Sequence, residues 1–178
     1  MKTVSVIYFS GGGHTQKMAE AVAKGAGAVS DTQVHLIGIA GKDIVEGRYK
    51  NDEVFAKLDV SDAIIFGSPT YMGGPAGQFK AFADTTSERW MKGGWKDKLA
   101  AGFTNAGGLS GDKVNCLIDI AMFAAQHSMI WVSQGLFYDD TGINRMGSWI
   151  GMQAQSDNAP ADQTPPPEDR RTAELFGE

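Results

Sequence analysis

The sequence has few of the features that mark secreted, membrane or nucleic-acid-binding proteins. Its 178 residues include one cysteine, Cys116, so no internal disulfide framework can form. No apolar run approaches the roughly 20 residues of a membrane-spanning helix. The formal charge is −5, and no cluster of lysine and arginine suggests a nucleic-acid surface. The first residues enter a predicted strand at once and leave no room for a signal peptide, so we expect a cytoplasmic protein.

Lysine and arginine are also missing from the most informative segment, Ser10-Gly-Gly-Gly-His-Thr15. This segment follows an apolar run, residues 4–9, that is typical of a buried strand. Apolar residues then recur at helical spacing over residues 16–29. A glycine-rich turn from strand to helix gathers backbone N–H groups and the positive end of the helix dipole around one point. The loop therefore suits a phosphate held by N–H and O–H groups, with hydroxyls from Ser10 and Thr15.

Three kinds of phosphate-binding loop compete for this segment. A Walker A loop requires lysine where this chain has His14. A dinucleotide-binding loop requires a third glycine where this chain has Gln16, and an acid that is missing from residues 34–40. The Ser/Thr-x-x-Gly-x-Thr loop, which binds the terminal phosphate of FMN, fits at each position. The remaining alternative is a glycine turn that binds nothing.

Strand and helix patterns alternate along most of the chain. Five apolar runs predict strands at residues 4–9, 32–39, 63–67, 99–104 and 129–132. Amphipathic segments between them predict a parallel sheet covered by helices on both faces. Glycine-rich loops follow the first, third and fourth strands, so all three open at the same edge, where ligands of such sheets bind. Residues 133–178 are a less regular part of the same domain, 1–178, and end in a helix that starts at Pro167.

The motifs together resemble the flavodoxin-like family, and within it the WrbA-type NAD(P)H:quinone oxidoreductases and their NADPH-dependent FMN reductase relatives. The resemblance covers residues 1 to about 132. It rests on these segments: Ser10-x-x-Gly13-x-Thr15, Gly67-Ser68-Pro69-Thr70 with Gln78 and Phe82, Trp90, residues 99–107, and His127-Ser128-Met129. It implies a doubly wound, five-stranded parallel sheet of order 2-1-3-4-5.

The resemblance also implies a function and a site. It implies FMN as cofactor, two electrons taken as hydride from NAD(P)H, a quinone-like acceptor, no metal, and a homo-oligomer, either dimer or tetramer. His127 is expected at the pyrimidine edge of the flavin and Trp90 near a neighbouring subunit's flavin, and both, with Tyr71, are the candidate catalytic residues. The residues expected to hold the phosphate are Ser10, Gly12, Gly13, His14 and Thr15. Those expected around the flavin ring are Pro69, Thr70, Tyr71, Met72, Gly73, Thr104, Asn105, Ala106 and Gly107.

Two segments depart from the family pattern. Tyr71-Met72 stands where the family usually has Arg-Phe, and residues 144–148 replace a Pro-Tyr-Gly segment. Simpler interpretations also exist for single residues. The side chain of His14 is expected to face solvent, His127 to be at a helix end if it does not reach the flavin, and Cys116 to be a packing residue.

Three functions remain compatible with an FMN pocket: a two-electron reductase, a one-electron carrier flavodoxin, and an FMN-binding module without turnover. Carriers usually have acids near the flavin, which disfavour its negatively charged reduced state. No acid occurs between Ala100 and Gly111. This absence favours the reductase, in which hydride transfer is the cofactor's own chemistry and the protein positions the reactants.

Overall fold

The central sheet explains how the glycine-rich loops come together. The computed structural model describes residues 1–178. Its main strands are β1 (Lys2–Tyr8), β2 (Thr32–Gly38), β5 (Ala63–Tyr71), β7 (Leu99–Ala106) and β8 (Ile130–Trp131). They lie in the order β2-β1-β5-β7-β8 and pair in parallel. This arrangement confirms the predicted fold and the strand order 2-1-3-4-5.

Helices cover both faces of the sheet, and shorter strands lie in the connections between its main strands. The helices are α1 (His14–Ala28), α2 (Asp52–Val60), α3 (Gly77–Thr85), α4 (Ser87–Met91), α5 (Lys113–Gln126) and α6 (Pro167–Gly177). A 3-10 turn (Gly41–Asp43) leads into a hairpin of β3 (Ile44–Val45) and β4 (Arg48–Tyr49), and β6 (Gly74–Pro75) folds back on β5. No helix is both long and apolar enough to span a membrane.

The fifth position of the sheet is divided between two short strands, of which the sequence predicted only the first. Strand β8 pairs only with the start of β7, at Leu99 and Ala100. A ninth strand, β9 (Met152–Gln155), pairs in parallel with the end of β7, from Phe103 to Ala106. The predicted strand at residues 129–132 is therefore shortened, and the segment between β8 and β9 is an insertion into one strand position.

The two faces of the sheet bury separate hydrophobic cores. Helices α2, α3 and α5 cover an aromatic-rich core, with Phe66, Phe79, Phe82 and Trp95 at its centre. Helices α1 and α6 cover a smaller core of mostly aliphatic residues. These two helices approach closely because Gly25 faces the carbonyl oxygen of Glu174, where any Cβ atom would collide. The terminal helix is thereby fixed next to the helix that begins at the glycine-rich loop.

Candidate functional site

A cleft opens where the parallel strands β1, β5, β7 and β9 end. It has a volume of about 420 Å³, within the usual range for small-molecule sites. Every side chain around it is free of carboxylate, ammonium and guanidinium groups. The lining residues are Gly11, Gly12, His14, Thr15, Pro69, Thr70, Tyr71, Asn105, Ala106, Gly107, Ser156 and Asn158. The structure thus brings the three predicted loops together and adds a fourth segment.

The loop from Ser10 to Thr15 has the hydrogen-bonding pattern of an open helix N-terminus. The Ser10 hydroxyl oxygen accepts from the N–H groups of Gly13 (3.1 Å) and Gln16 (3.2 Å), which leaves its own hydrogen free to donate. Gly13 is the N-cap of α1 at φ 91°, a left-handed conformation that favours glycine. No acid occupies the first turn of α1, so its positive end faces the cleft without a neutralising group.

The expectation that His14 faces solvent is wrong. Its Nε2 lies 2.7 Å from the carbonyl oxygen of Ala159, so this nitrogen donates a hydrogen bond to the segment after β9. The ring therefore ties the first loop of the cleft to the C-terminal part of the chain while still lining the cleft.

Thr70, Thr104 and Asn105 form the polar floor of the cleft. The hydroxyls of Thr70 and Thr104 lie 2.8 Å apart. Thr104 was predicted to contact the flavin, but it is fully buried beneath the cleft and does not line it. Asn105 is 4% exposed and donates from Nδ2 to the Ser156 hydroxyl (3.2 Å). Its Oδ1 is buried without a partner in the protein. A buried acceptor without a donor is costly, so this atom is suited to a ligand's donor group.

Tyr71 and Met72 were both predicted to contact the flavin, but only the Tyr71 side chain lines the cleft. The Tyr71 ring lies across the cleft, and its hydroxyl occupies the space that a side chain at Gly11 would need. Met72 is fully exposed at φ 50° and lines a neighbouring groove instead of the cleft. That groove has a volume of about 630 Å³ and shares Tyr71 with the cleft. Its walls are mostly apolar, with Met122 and Phe123 among them, and they also carry Lys80, Asp84 and Asp119. Gly73 follows Met72, with its carbonyl held by Asn115 (2.8 Å).

The prediction of His127 at the flavin edge is wrong. His127 follows α5 and is 4% exposed, packed on Trp95 and Phe123. Thr86 Oγ1 donates to the Ala83 carbonyl and lies 2.8 Å from His127 Nε2, so Nε2 donates to Thr86. Burial, followed by the nearby Arg89, lowers the pKa of His127 to about 4. This residue is a neutral core histidine, the simpler of the two interpretations.

Trp90 also lies away from the cleft of its own chain. It belongs to the short helix α4 and is 51% exposed. Cys116, in contrast, is fully buried in α5, and burial raises the pKa of its thiol, as suits a packing residue.

Sequence reasoning missed Ser156 and Asn158, which close the cleft beside Gly107. The N–H groups of Ser156 and Asp157 donate to the carbonyls of Ala106 (2.9 Å) and Gly107 (3.1 Å) and thereby continue the pairing of β7 with β9. A side chain at Gly107 would collide with Asn158. The only sequence signal was a polar turn after the short run Met152–Gln155, too short to be distinguished from a loop.

The cleft fits the FMN that the sequence predicts. A phosphate monoester needs several donors, and the free amides at the start of α1 with the hydroxyls of Ser10 and Thr15 supply them. A flavin ring has N–H and carbonyl groups at its polar edge, and the unpartnered Oδ1 of Asn105 meets the need for a buried acceptor.

Comparisons with known proteins agree with this site. A family model described as NADPH-dependent FMN reductase matches residues 4–142. "Flavodoxin FldP" of Pseudomonas aeruginosa (strain UCBPP-PA14) is 38% identical, over 99% of this chain and 93% of the relative. An "NAD(P)H dehydrogenase (quinone)" of Syntrophus aciditrophicus (strain SB) is 31% identical, over 80% of this chain and 75% of the relative.

A solved structure described as a flavodoxin, WrbA-like protein from Agrobacterium tumefaciens is 41% identical. It superposes with a TM-score of 0.77, covering 99% of this chain and 93% of the other. The chain therefore belongs to the NADPH-dependent FMN reductase family, flavodoxin-like oxidoreductases whose cofactor is FMN and whose electron donor is NAD(P)H.

Proposed function

We propose that the protein is a reductase that takes hydride from NAD(P)H onto bound FMN and passes two electrons to quinone-like acceptors. The carrying observation is a cleft lined without any carboxylate. Hydride transfer leaves a negative charge on the flavin, and a nearby acid would oppose that charge. Here the flavin ring would instead meet the end of β7, at Asn105 and Ala106, and the following Gly107, none of which carries a charged side chain.

The chain's own residues would bind and orient the reactants. Ser10, Thr15 and the first amides of α1 would hold the phosphate. Asn105 would accept a hydrogen bond at the polar edge of the ring, with Ser156 fixing its amide. FMN supplies the hydride chemistry when it is bound.

The quinone-like acceptor is supported by the mostly apolar groove that adjoins the cleft at Tyr71. Its walls contain Met72, Met122 and Phe123, which would pack against a planar apolar ring. Among its charged residues, Lys80 and Asp84 pair with each other, and the remaining carboxylate of Asp119 disfavours an anionic acceptor. The proposal further includes a cytoplasmic location and a homo-oligomer, without a nucleic-acid partner.

A second candidate is a carrier flavodoxin that passes single electrons between proteins. The 38% identity to a relative named flavodoxin FldP, over nearly the whole chain, favours it. The two functions differ in whether a nicotinamide reduces the bound flavin directly.

The deciding experiment records the absorbance of FMN-loaded protein near 450 nm under anaerobic conditions. We expect NADH or NADPH to bleach the band in one phase, p-benzoquinone to restore it, and steady-state rates to follow a ping-pong pattern through one shared site. A flavin that stays oxidised with both nicotinamides, and that passes through a long-lived intermediate spectrum during photoreduction, would establish the carrier instead.

A further inference from the structure

A buried lysine supports the loop that flanks the cleft. Lys113 is the first residue of α5 and is 0% exposed, which is rare for a lysine. Its Nζ donates to the carbonyl oxygens of Gly108 (2.9 Å) and Leu109 (2.8 Å). These two residues directly follow Gly107 of the cleft, so the ammonium group turns the negative ends of their peptide groups into the protein.

The charges that face Lys113 come from the C-terminal part of the chain. Asp169 of α6 is 1% exposed and accepts from Arg145 Nε (2.6 Å) and Nη2 (2.8 Å) and from the backbone N–H of Gln155 (2.9 Å). Asp169 acts on Lys113 as an attractive charge and Arg145 as a repulsive one. Asp169 is ion-paired with Arg145, whereas the partners of Lys113 Nζ are the two backbone carbonyls, so no carboxylate directly neutralises the lysine.

Burial lowers the pKa of Lys113 from its ordinary value to about 8; Asp169 opposes this shift and Arg145 adds to it. Below that pH the side chain is mostly charged. The low polarisability of the interior lets a buried charge act over longer distances than a surface charge, which solvent and salt screen.

We propose that Lys113 is a positioning residue that stabilises the reduced, negatively charged state of the FMN bound in the cleft. It does so by holding the carbonyls of Gly108 and Leu109 away from the ligand and by placing positive charge behind residues 105–107, where β7 ends. The inference rests on the proposed function for its cofactor. When hydride passes from the nicotinamide to the flavin, the nicotinamide gains one positive charge and the flavin one negative charge, and Lys113 acts on the second.

The test compares the two-electron midpoint potential of bound FMN in the wild type and in Lys113→Met. We expect the preference of the protein for reduced over oxidised FMN to fall about tenfold, which lowers the potential by about 30 mV. Lys98→Met is the matched control. Lys98 Nζ also bonds two backbone carbonyls, those of Asp59 (2.9 Å) and Ser61, but at the opposite edge of the sheet. Its replacement should leave the potential unchanged.

The pH dependence separates an electrostatic role from a purely structural one. Reduction raises the pKa of Lys113, so above about pH 8 the lysine takes up a proton as the flavin is reduced. The wild-type potential should therefore fall more steeply with pH from about 8 upward. Lys113→Arg keeps a charge that does not titrate, so it should retain a high potential without this break.

Two results would overturn the inference. One is an unchanged potential in Lys113→Met; the other is a break near pH 8 that persists in Lys113→Arg, which decides the question if the methionine variant does not fold. Because the potential is measured with a chemical reductant, it is independent of NAD(P)H. A wild type that shows the break but is not reduced by NAD(P)H would refute the proposed function and leave the role of Lys113 standing.

Discussion

Ser10 and Thr15 have different relations to the expected phosphate. The Ser10 oxygen accepts from two amides and so fixes the shape of the loop, with only its hydrogen left for a ligand. Thr15 is 2% exposed and lines the cleft from the first turn of α1. A substitution at Thr15 would therefore remove only the expected phosphate contact, while one at Ser10 would also disturb the loop. Thr15 is for this reason the better probe of cofactor binding.

We expect Thr15→Ala to weaken FMN binding about tenfold or more, because a hydrogen bond to a charged phosphate contributes about 1.5–3 kcal/mol. Thr15→Ser keeps the hydroxyl and should bind nearly as the wild type does. Gly13→Val should also weaken binding, since valine at φ 91° is strained and its Cβ would lie 3.0 Å from that of Ala161. Fluorescence titration gives the affinities and circular dichroism the fold; unchanged affinity in both Thr15→Ala and Gly13→Val would place the phosphate elsewhere.

The strands and helices with strong periodicity could be predicted from sequence, and the split fifth strand could not. The runs at residues 63–67 and 99–104 are apolar on both faces, as a central parallel strand requires. Strand β9, Met152–Gln155, alternates polar and apolar residues over only four positions, a pattern that many loops share. Its place in the sheet depends on long-range pairing with β7 and on the Arg145–Asp169 pair, neither of which a local pattern reveals.

The candidate site also combines features that the sequence could predict with features that it could not. The meeting of the three glycine-rich loops was predicted correctly, because the carboxyl ends of parallel strands share an edge of the sheet. Ser156 and Asn158 were not predicted as site residues because strand β9, which precedes them, was not predicted. His127 was misplaced because its assignment came from a sequence motif, whereas α5 ends on the side of the sheet where Trp95 and Thr86 bury the ring.

The buried end of α5 makes stability depend on pH. The folded-state pKa of His127 is about 4, below the ordinary 6.5, so the unfolded chain binds more protons between these values. The free energy of unfolding should therefore decrease as pH falls from 6.5 towards 4, by up to about 1.4 kcal/mol per pH unit for this single group.

His127→Gln should flatten this dependence in urea unfolding curves recorded at several pH values and leave FMN affinity at neutral pH unchanged. His35→Gln, on the edge strand β2, is the matched control and should retain the wild-type slope. If His127→Gln keeps the wild-type slope of unfolding free energy against pH, other groups cause the pH dependence. If His127→Gln greatly weakens FMN binding, His127 does belong to the FMN site.

The surface of the whole molecule has apolar side chains that its own fold does not cover. Trp90 is 51% exposed and the adjacent Met91 69%, on a helix remote from the cleft of the same chain. Trp90 and Met91 form a first apolar strip. A second strip lies on α5, where Val114, Ile118 and Met122 follow one another at four-residue spacing and are each about half exposed. Contiguous apolar surface of this kind marks interaction sites in soluble proteins. The two strips are where contacts between copies of the chain are expected.

We expect a homo-oligomer of closed symmetry in which Trp90 lies at or near a subunit contact. Light scattering after size-exclusion chromatography at micromolar concentration should give two or four times the chain mass. Trp90→Ala should shift the distribution towards smaller species because a large aromatic side chain at the centre of an interface contributes much of its binding energy. Trp149, which is 44% exposed on the insertion between β8 and β9, provides the control: Trp149→Ala should keep the wild-type mass. A wild type that is monomeric and yet fully active as a reductase would show that each chain is complete by itself, and Trp90 would then have no part in a neighbouring site.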